Sequence, residues 1–185
     1  MWIIPFVAIS LGVIALDQIS KLLVLEHLYE DQLQLIPNIF HFTYVENRGM
    51  AFGLLSDHRW VFMLFSVLGI AAVAAYMYFF VKSRLGRVSL SLIIGGGIGN
   101  MIDRVRLGFV VDFIDFCAFP SLWSWVFNIA DAAVCVGAAL FVLDLIRDTV
   151  KEFKKQKATK TAPQPSADTA AEMSDTPDSE ESNDG

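Results

Sequence analysis

Leu92-Ile93-Ile94-Gly95-Gly96-Gly97-Ile98-Gly99-Asn100-Met101-Ile102-Asp103-Arg104 reads as an apolar helix that ends in charge. It is rich in glycine and rather short for a span. Asn100, Asp103 and Arg104 then stand among residues apolar enough to be buried in a membrane. A carboxylate at the edge of hydrocarbon costs several kcal/mol unless it faces a partner or a wet cavity, so it marks a functional site by default. Phe127-Asn128-Ile129-Ala130-Asp131 repeats the pattern further along, with Asp112 and Asp115 in between. A plainer interpretation is that Asp103, Asp112 and Asp115 pair with Arg104 or Arg106 and only lock helices together.

The composition fits that setting. With 55% hydrophobic and 18% charged residues over 185 positions, the chain is too apolar for an ordinary soluble domain. The formal charge of -6 comes from one end, because Asp168, Glu172, Asp175, Asp178, Glu180, Glu181 and Asp184 follow the last base, Lys160. Setting those seven aside leaves 13 acids against 14 bases, a nearly neutral membrane part with no basic face for a nucleic-acid partner. Cys117 and Cys135 have neither metal-ligand nor disulfide-framework spacing, and Cys135 is expected to be plain packing.

Outward from the glycine run, the chain predicts an all-α polytopic membrane protein. Its spans are expected at about 2–25, 60–81, 88–104 and 122–146, each near the roughly 20 residues a crossing needs. The first is not expected to be a cleaved signal peptide, since it lacks a basic start and a small-residue cleavage site. Within it Asp17 and Lys21 are four apart on one face and can pair, or Lys21 can snorkel to the interface. Residues 26–59 form the long polar loop, where Gln32 to Ile36 and Phe40 to Val45 alternate as strands of a small β platform around Pro37-Asn38. The three histidines, His27, His41 and His58, lie in this loop away from the aspartates, and their spacing predicts no metal site. Lys82-Ser83-Arg84-Leu85-Gly86-Arg87 and the bases after Arg147 place both termini in the cytoplasm and the polar loop outside. Residues 1–155 are thus the membrane domain and 156–185 a disordered acidic cytoplasmic tail, since the composition beyond Thr161 cannot bury enough apolar surface to fold.

Depth gathers the polar residues. A helix rises about 1.5 Å per residue through about 30 Å of hydrocarbon, which puts Asp17, Asn100, Asp103, Asn128 and Asp131 in one layer near the outer surface. Asp112 is expected on the outer connection. Asn100 with Asp103, and Asn128 with Asp131, share helix faces, so each asparagine can orient its aspartate. Several aspartates without an activated nucleophile point to paired carboxylates, one protonated as general acid and one activating water. A Ser20–Lys21 nucleophile is disfavoured, because adjacent helix positions point about 100° apart.

Five blocks in order resemble the lipoprotein signal peptidases, or signal peptidase II: Asp17-Gln18-Ile19-Ser20-Lys21, Asn47-Arg48-Gly49-Met50-Ala51-Phe52, Gly95 through Arg104, Val110-Val111-Asp112-Phe113 and Phe127-Asn128-Ile129-Ala130-Asp131. The resemblance covers about residues 1–150. It implies an aspartyl endopeptidase of the bacterial inner membrane that removes signal peptides from diacylglyceryl-modified prolipoproteins, cutting before the lipidated cysteine. It implies Asp112 and Asp131 as the catalytic pair. Asn100, Asp103, Arg104 and Asn128 would support the pair or hold substrate, and Asp17, Lys21, Asn47 and Gly49 would line or shape the site. Asp115 matches no family position. No cofactor or metal is expected, and the partners are the lipidated substrate and membrane lipids around a monomer. A proton or ion translocator is the competing class, but a relay needs carboxylates at several depths, and these gather on one side. A third possibility is an assembly subunit whose ion pairs only hold helices.

Overall fold

The computed structural model describes residues 3–29, 32–48, 59–118 and 125–161. In order they form α1 (Ile4–His27), β1 (Leu33–Ile36), β2 (Phe40–Asn47), α2 (Arg59–Phe79), α3 (Arg84–Arg106), β3 (Val110–Phe116), β4 (Val126–Phe127) and α4 (Ile129–Thr161). Residues 1–146 make one compact unit and residues 147–185 another. Among the described residues, three helical stretches are long and apolar enough to cross a membrane, namely α1, α3 and Ile129–Lys157 of α4; α2 carries the shorter apolar stretch Met63–Phe79.

The glycine run of α3 is where the helices meet. A Cβ at Gly96 would collide with the Ala130 carbonyl of α4, and one at Gly99 would stand 2.6 Å from the Asp17 carboxylate of α1. Gly97 faces Ile70 of α2. One stripped helix therefore packs on three others, and at Gly96 and Gly99 only hydrogen fits. A second cluster, Met77 and Val81 with Leu90, Ile93 and Phe141, holds the opposite end of α3.

Three boundaries differ from the expected ones. The third helix begins at Arg84 rather than 88, because the Ser83 side chain accepts a hydrogen bond from Gly86 N at 2.9 Å and caps it. The fourth begins at Ile129 rather than 122, since Val126 and Phe127 are taken up by strand pairing with Asp115 and Ile114. It runs to Thr161, so residues 156–161, assigned to the tail, are helical; the Lys- and Glu-bearing stretch before them, Lys151 to Lys155, favours helix. The remainder of the expected tail lies outside the described residues.

The β platform is larger than the two strands expected from the first loop. It is a four-stranded antiparallel sheet in the order β1-β2-β3-β4, and half of it comes from the segment between α3 and α4. Gly108, with φ 86°, turns the chain from α3 into β3. Val110 and Val111 are almost fully buried, and Val111 and Phe113 pack with Val24 of α1, Phe42 and Ile129. Pairing of β2 with β3 shifts between Phe42↔Ile114 and Val45↔Asp112, a bulge that sets Thr43 and Tyr44 against Phe113, next to Asp112.

Candidate active site

The polar layer starts from a helix cap. Asn128 precedes α4, its side-chain oxygen accepts from Asp131 N at 2.9 Å, and Asp131 Oδ2 accepts from Asn128 N at 3.4 Å. This is a reciprocal capping arrangement. Ala130 N donates to Asp17 Oδ1 at 2.9 Å. Carboxylates thus meet the first-turn amides of α4, the helix end at which negative charge is stabilised.

The same asparagine reaches the other way. Asn128 Nδ2 donates to Asp112 Oδ1 at 2.6 Å, while Asn47 Nδ2 donates to Asp112 Oδ2 at 2.8 Å. Asn100 Nδ2 donates to Asp131 Oδ1 at 2.7 Å. Asp112 and Asp131 are therefore linked through Asn128, and each has one further amide donor. Asp112 is 2% exposed. Burial pushes its carboxyl up to about 6; the hydrogen bonds from Asn47 and Asn128 and the Lys21 charge act against the rise, and the Asp131 charge adds to it.

A second group surrounds Lys21, whose Nζ lies 2.9 Å from Asp17 Oδ2, from Asp103 Oδ2 and from Asn100 Oδ1. Lys21 is 2% exposed, so it is a buried cation held by two carboxylates, and snorkelling is ruled out. Asp103 Oδ2 also accepts from Val111 N at 3.1 Å, which ties α3 to the residue before Asp112. Arg104 Nη1 donates to Asn100 O at 3.2 Å.

The expected residues thus converge, with corrections to their pairing. Asp103 is matched by Lys21 rather than by Arg104 or Arg106, and Asn100 orients Asp131 and Lys21 rather than Asp103. Asp112 lies on a buried strand instead of a loop. Ser20 Oγ donates to Asp17 O, and Lys21 is fully engaged elsewhere, which removes the serine–lysine pairing. Cys135, expected to be packed, is exposed on α4. His41 is not apart from carboxylates: it is paired across the sheet with Asp115. Gly49 lies outside the described residues.

One site residue and one distant buried carboxylate were not foreseen. Gln18 Nε2 donates to Asp103 Oδ1 at 2.9 Å and reaches Asp17 Oδ2 and Gly99 O, each at 3.2 Å. Its place beside Asp17 was the available signal. Asp144, thirteen residues beyond Asp131 and so about 20 Å along the helix, is 6% exposed and hydrogen-bonds Ser83 Oγ at the start of α3. A buried carboxylate therefore does exist away from the polar layer, but it completes a helix cap.

Apolar helices around an asparagine-bridged aspartate pair, Asp112 buried and Asp131 half-buried, define an integral membrane protein with a carboxylate site. Residues 9–147 match the family model described as signal peptidase (SPase) II. The lipoprotein signal peptidase of Clostridioides difficile (strain 630) is 44% identical over 75% of this chain and 92% of its own length. That of Halothermothrix orenii is 45% identical over 74% and 92%. That of Shewanella halifaxensis is 43% identical over 86% and 92%. Two solved structures described as bacterial membrane enzymes superpose with TM-scores of 0.73 and 0.74 at 28% and 29% identity, covering 89% and 80% of this chain and 96% of each neighbour. The chain belongs to the signal peptidase II family.

Proposed function

We propose that the chain is an aspartyl endopeptidase that cleaves the signal peptide from diacylglyceryl-modified prolipoproteins on the N-terminal side of the lipidated cysteine. The observation that carries this is the Asn128 bridge, with Nδ2 on Asp112 and its amide N and Oδ1 on Asp131. In this mechanism Asp131, at the α4 N-terminus, takes a proton from water as that water attacks the scissile carbonyl. Asp112, whose carboxyl is raised to about 6, holds the proton that passes to the carbonyl oxygen. Asn100, Asn47 and Asn128 keep both carboxyls oriented, while Asp17, Lys21, Asp103 and Arg104 fix the helices that carry them.

Substrate chemistry is supported by a neighbouring groove of about 440 Å³ between α1 and the sheet. Leu23, Val24, Leu28, Phe40, Phe42 and Phe113 line it, and Phe113 adjoins Asp112. Such a lining suits acyl chains. In this account all four helices span the bacterial inner membrane, both termini are cytoplasmic, and a monomer works without a cofactor near the outer leaflet. The basic turn Lys82 to Arg87 and the bases after Arg147 support that orientation.

The test is incubation of the purified full chain with a diacylglyceryl-modified precursor and with its unlipidated counterpart, read by gel shift. Cleavage of the lipidated form alone is expected. No cleavage, or equal cleavage of both, would overturn the proposal.

A further inference from the structure

His41, Asp115 and Cys117 form a second cluster of reactive side chains outside the aspartate site. His41 of β2 and Asp115 of β3 are direct cross-strand partners. Cys117 follows two residues on, so it shares Asp115's face of the strand, and its backbone N donates to Ile39 O at 2.8 Å, which holds it against β2. One ligand atom from each of the three side chains lies within 4.8 Å of the others, and Cys117 Sγ is 3.5 Å from His41 Nδ1. Around a tetrahedral zinc ion with bonds of 2.0–2.3 Å, ligand atoms stand roughly 3.3–3.8 Å apart. The His–Cys edge already has that length.

The two ring nitrogens of His41 differ in their surroundings. Gln32 Nε2 lies 2.9 Å from His41 Nδ1, the same nitrogen that Cys117 Sγ approaches, so an ion bound at Nδ1 takes the place of the Gln32 contact. Meanwhile His41 Nε2 is buried with no hydrogen-bond partner among the described residues, so the ring is held by packing rather than by bonds on its far side.

We propose that His41, Asp115 and Cys117 bind a borderline divalent transition metal of the Zn²⁺ class, with a fourth position open to water. Imidazole, thiolate and carboxylate are the donor set such ions take. Binding expels the Cys117 proton to solvent and leaves thiolate, neutral imidazole and carboxylate on the ion. The ion clamps β2 to β3 three residues from Asp112 and takes no part in peptide hydrolysis. This proposal is independent of the assignment of Asp112 and Asp131.

The test uses the purified full chain in detergent with Co²⁺ as spectroscopic probe and Zn²⁺ as competitor. One equivalent of Co²⁺ should give a thiolate-to-cobalt charge-transfer band and the visible bands of a four-coordinate ion, both removed by one equivalent of Zn²⁺. Cys117→Ser should abolish the charge-transfer band, His41→Ala and Asp115→Asn should weaken binding at least tenfold, and Cys135→Ser should change nothing. Circular dichroism of each variant without metal separates lost ligation from lost folding. Absence of the charge-transfer band in the parent, its loss in Cys135→Ser, or full-affinity binding by folded His41→Ala would each overturn the site.

Discussion

Asp112→Asn should make the protein relatively more stable as pH rises, while it removes the proposed acid. Burial raises the Asp112 carboxyl from 3.8 to about 6, a shift of roughly two units, or about 3 kcal/mol at 1.36 kcal/mol per unit. Solvent reaching the site screens part of this, which leaves about 1–2 kcal/mol. The folded value lies above the unfolded one, so the bound proton contributes stability that is complete below about pH 4 and is lost as pH rises through 6. Asparagine carries no charge and escapes that loss. It also has one oxygen where Asp112 offers two, to Asn47 and to Asn128, so one donor is left facing its new amide at a cost of about 1 kcal/mol at every pH. The variant should therefore be about 1 kcal/mol less stable than the parent near pH 4 and equal or more stable above pH 7. Thermal unfolding in detergent, followed by tryptophan fluorescence across that range, measures the difference. A gap that is constant with pH, or that widens against the variant on the alkaline side, would refute the buried, raised carboxyl.

Three further outcomes test the scaffold and the proton assignment. Lys21→Met leaves Asp17 and Asp103 buried without their cation, so unfolding should be easier by about 3–5 kcal/mol, seen as a large fall in the yield of folded protein. Gly96→Ala drives a methyl into the Ala130 carbonyl and should cost about 1–3 kcal/mol and slow cleavage, because the displaced turn carries Asp131; unchanged Tm and rate would show that α3 and α4 do not meet there. Asn47→Ala removes the hydrogen bond that most strongly opposes the Asp112 shift, so the alkaline limb of kcat/KM against pH should move upward from about 6; a downward move would contradict Asp112 as the acid.

Much of this architecture was legible in the sequence because membrane burial leaves little ambiguity. Apolar length announced the helices, and a carboxylate in such surroundings had to have a partner. The spacing of Asp17 and Lys21 gave their ion pair, and that of Asn128 and Asp131 gave their contact, though as a helix cap rather than along a helix face. What could not be read was tertiary pairing. Val110 to Phe116 is a strand only because β2 is beside it, and without that strand neither the burial of Asp112 nor the meeting of His41 with Asp115 follows from spacing. Lys21 likewise chose between snorkelling and burial according to Asp103, a residue on another helix. The fourth helix began late for the same reason, since Val126 and Phe127 were claimed by β3.

The central claim is that Asp112 and Asp131 act as one acid–base unit across Asn128. Its most direct measurement is the rate at which purified Asp112→Asn, Asp131→Asn and the double variant cleave a diacylglyceryl-modified precursor, with folding checked alongside. Each single variant should lose at least the roughly 10²–10⁴-fold that general acid–base catalysis contributes, and the double variant should be scarcely worse than either, as for residues that work together. A folded single variant that still cleaves within tenfold of the parent would contradict the account.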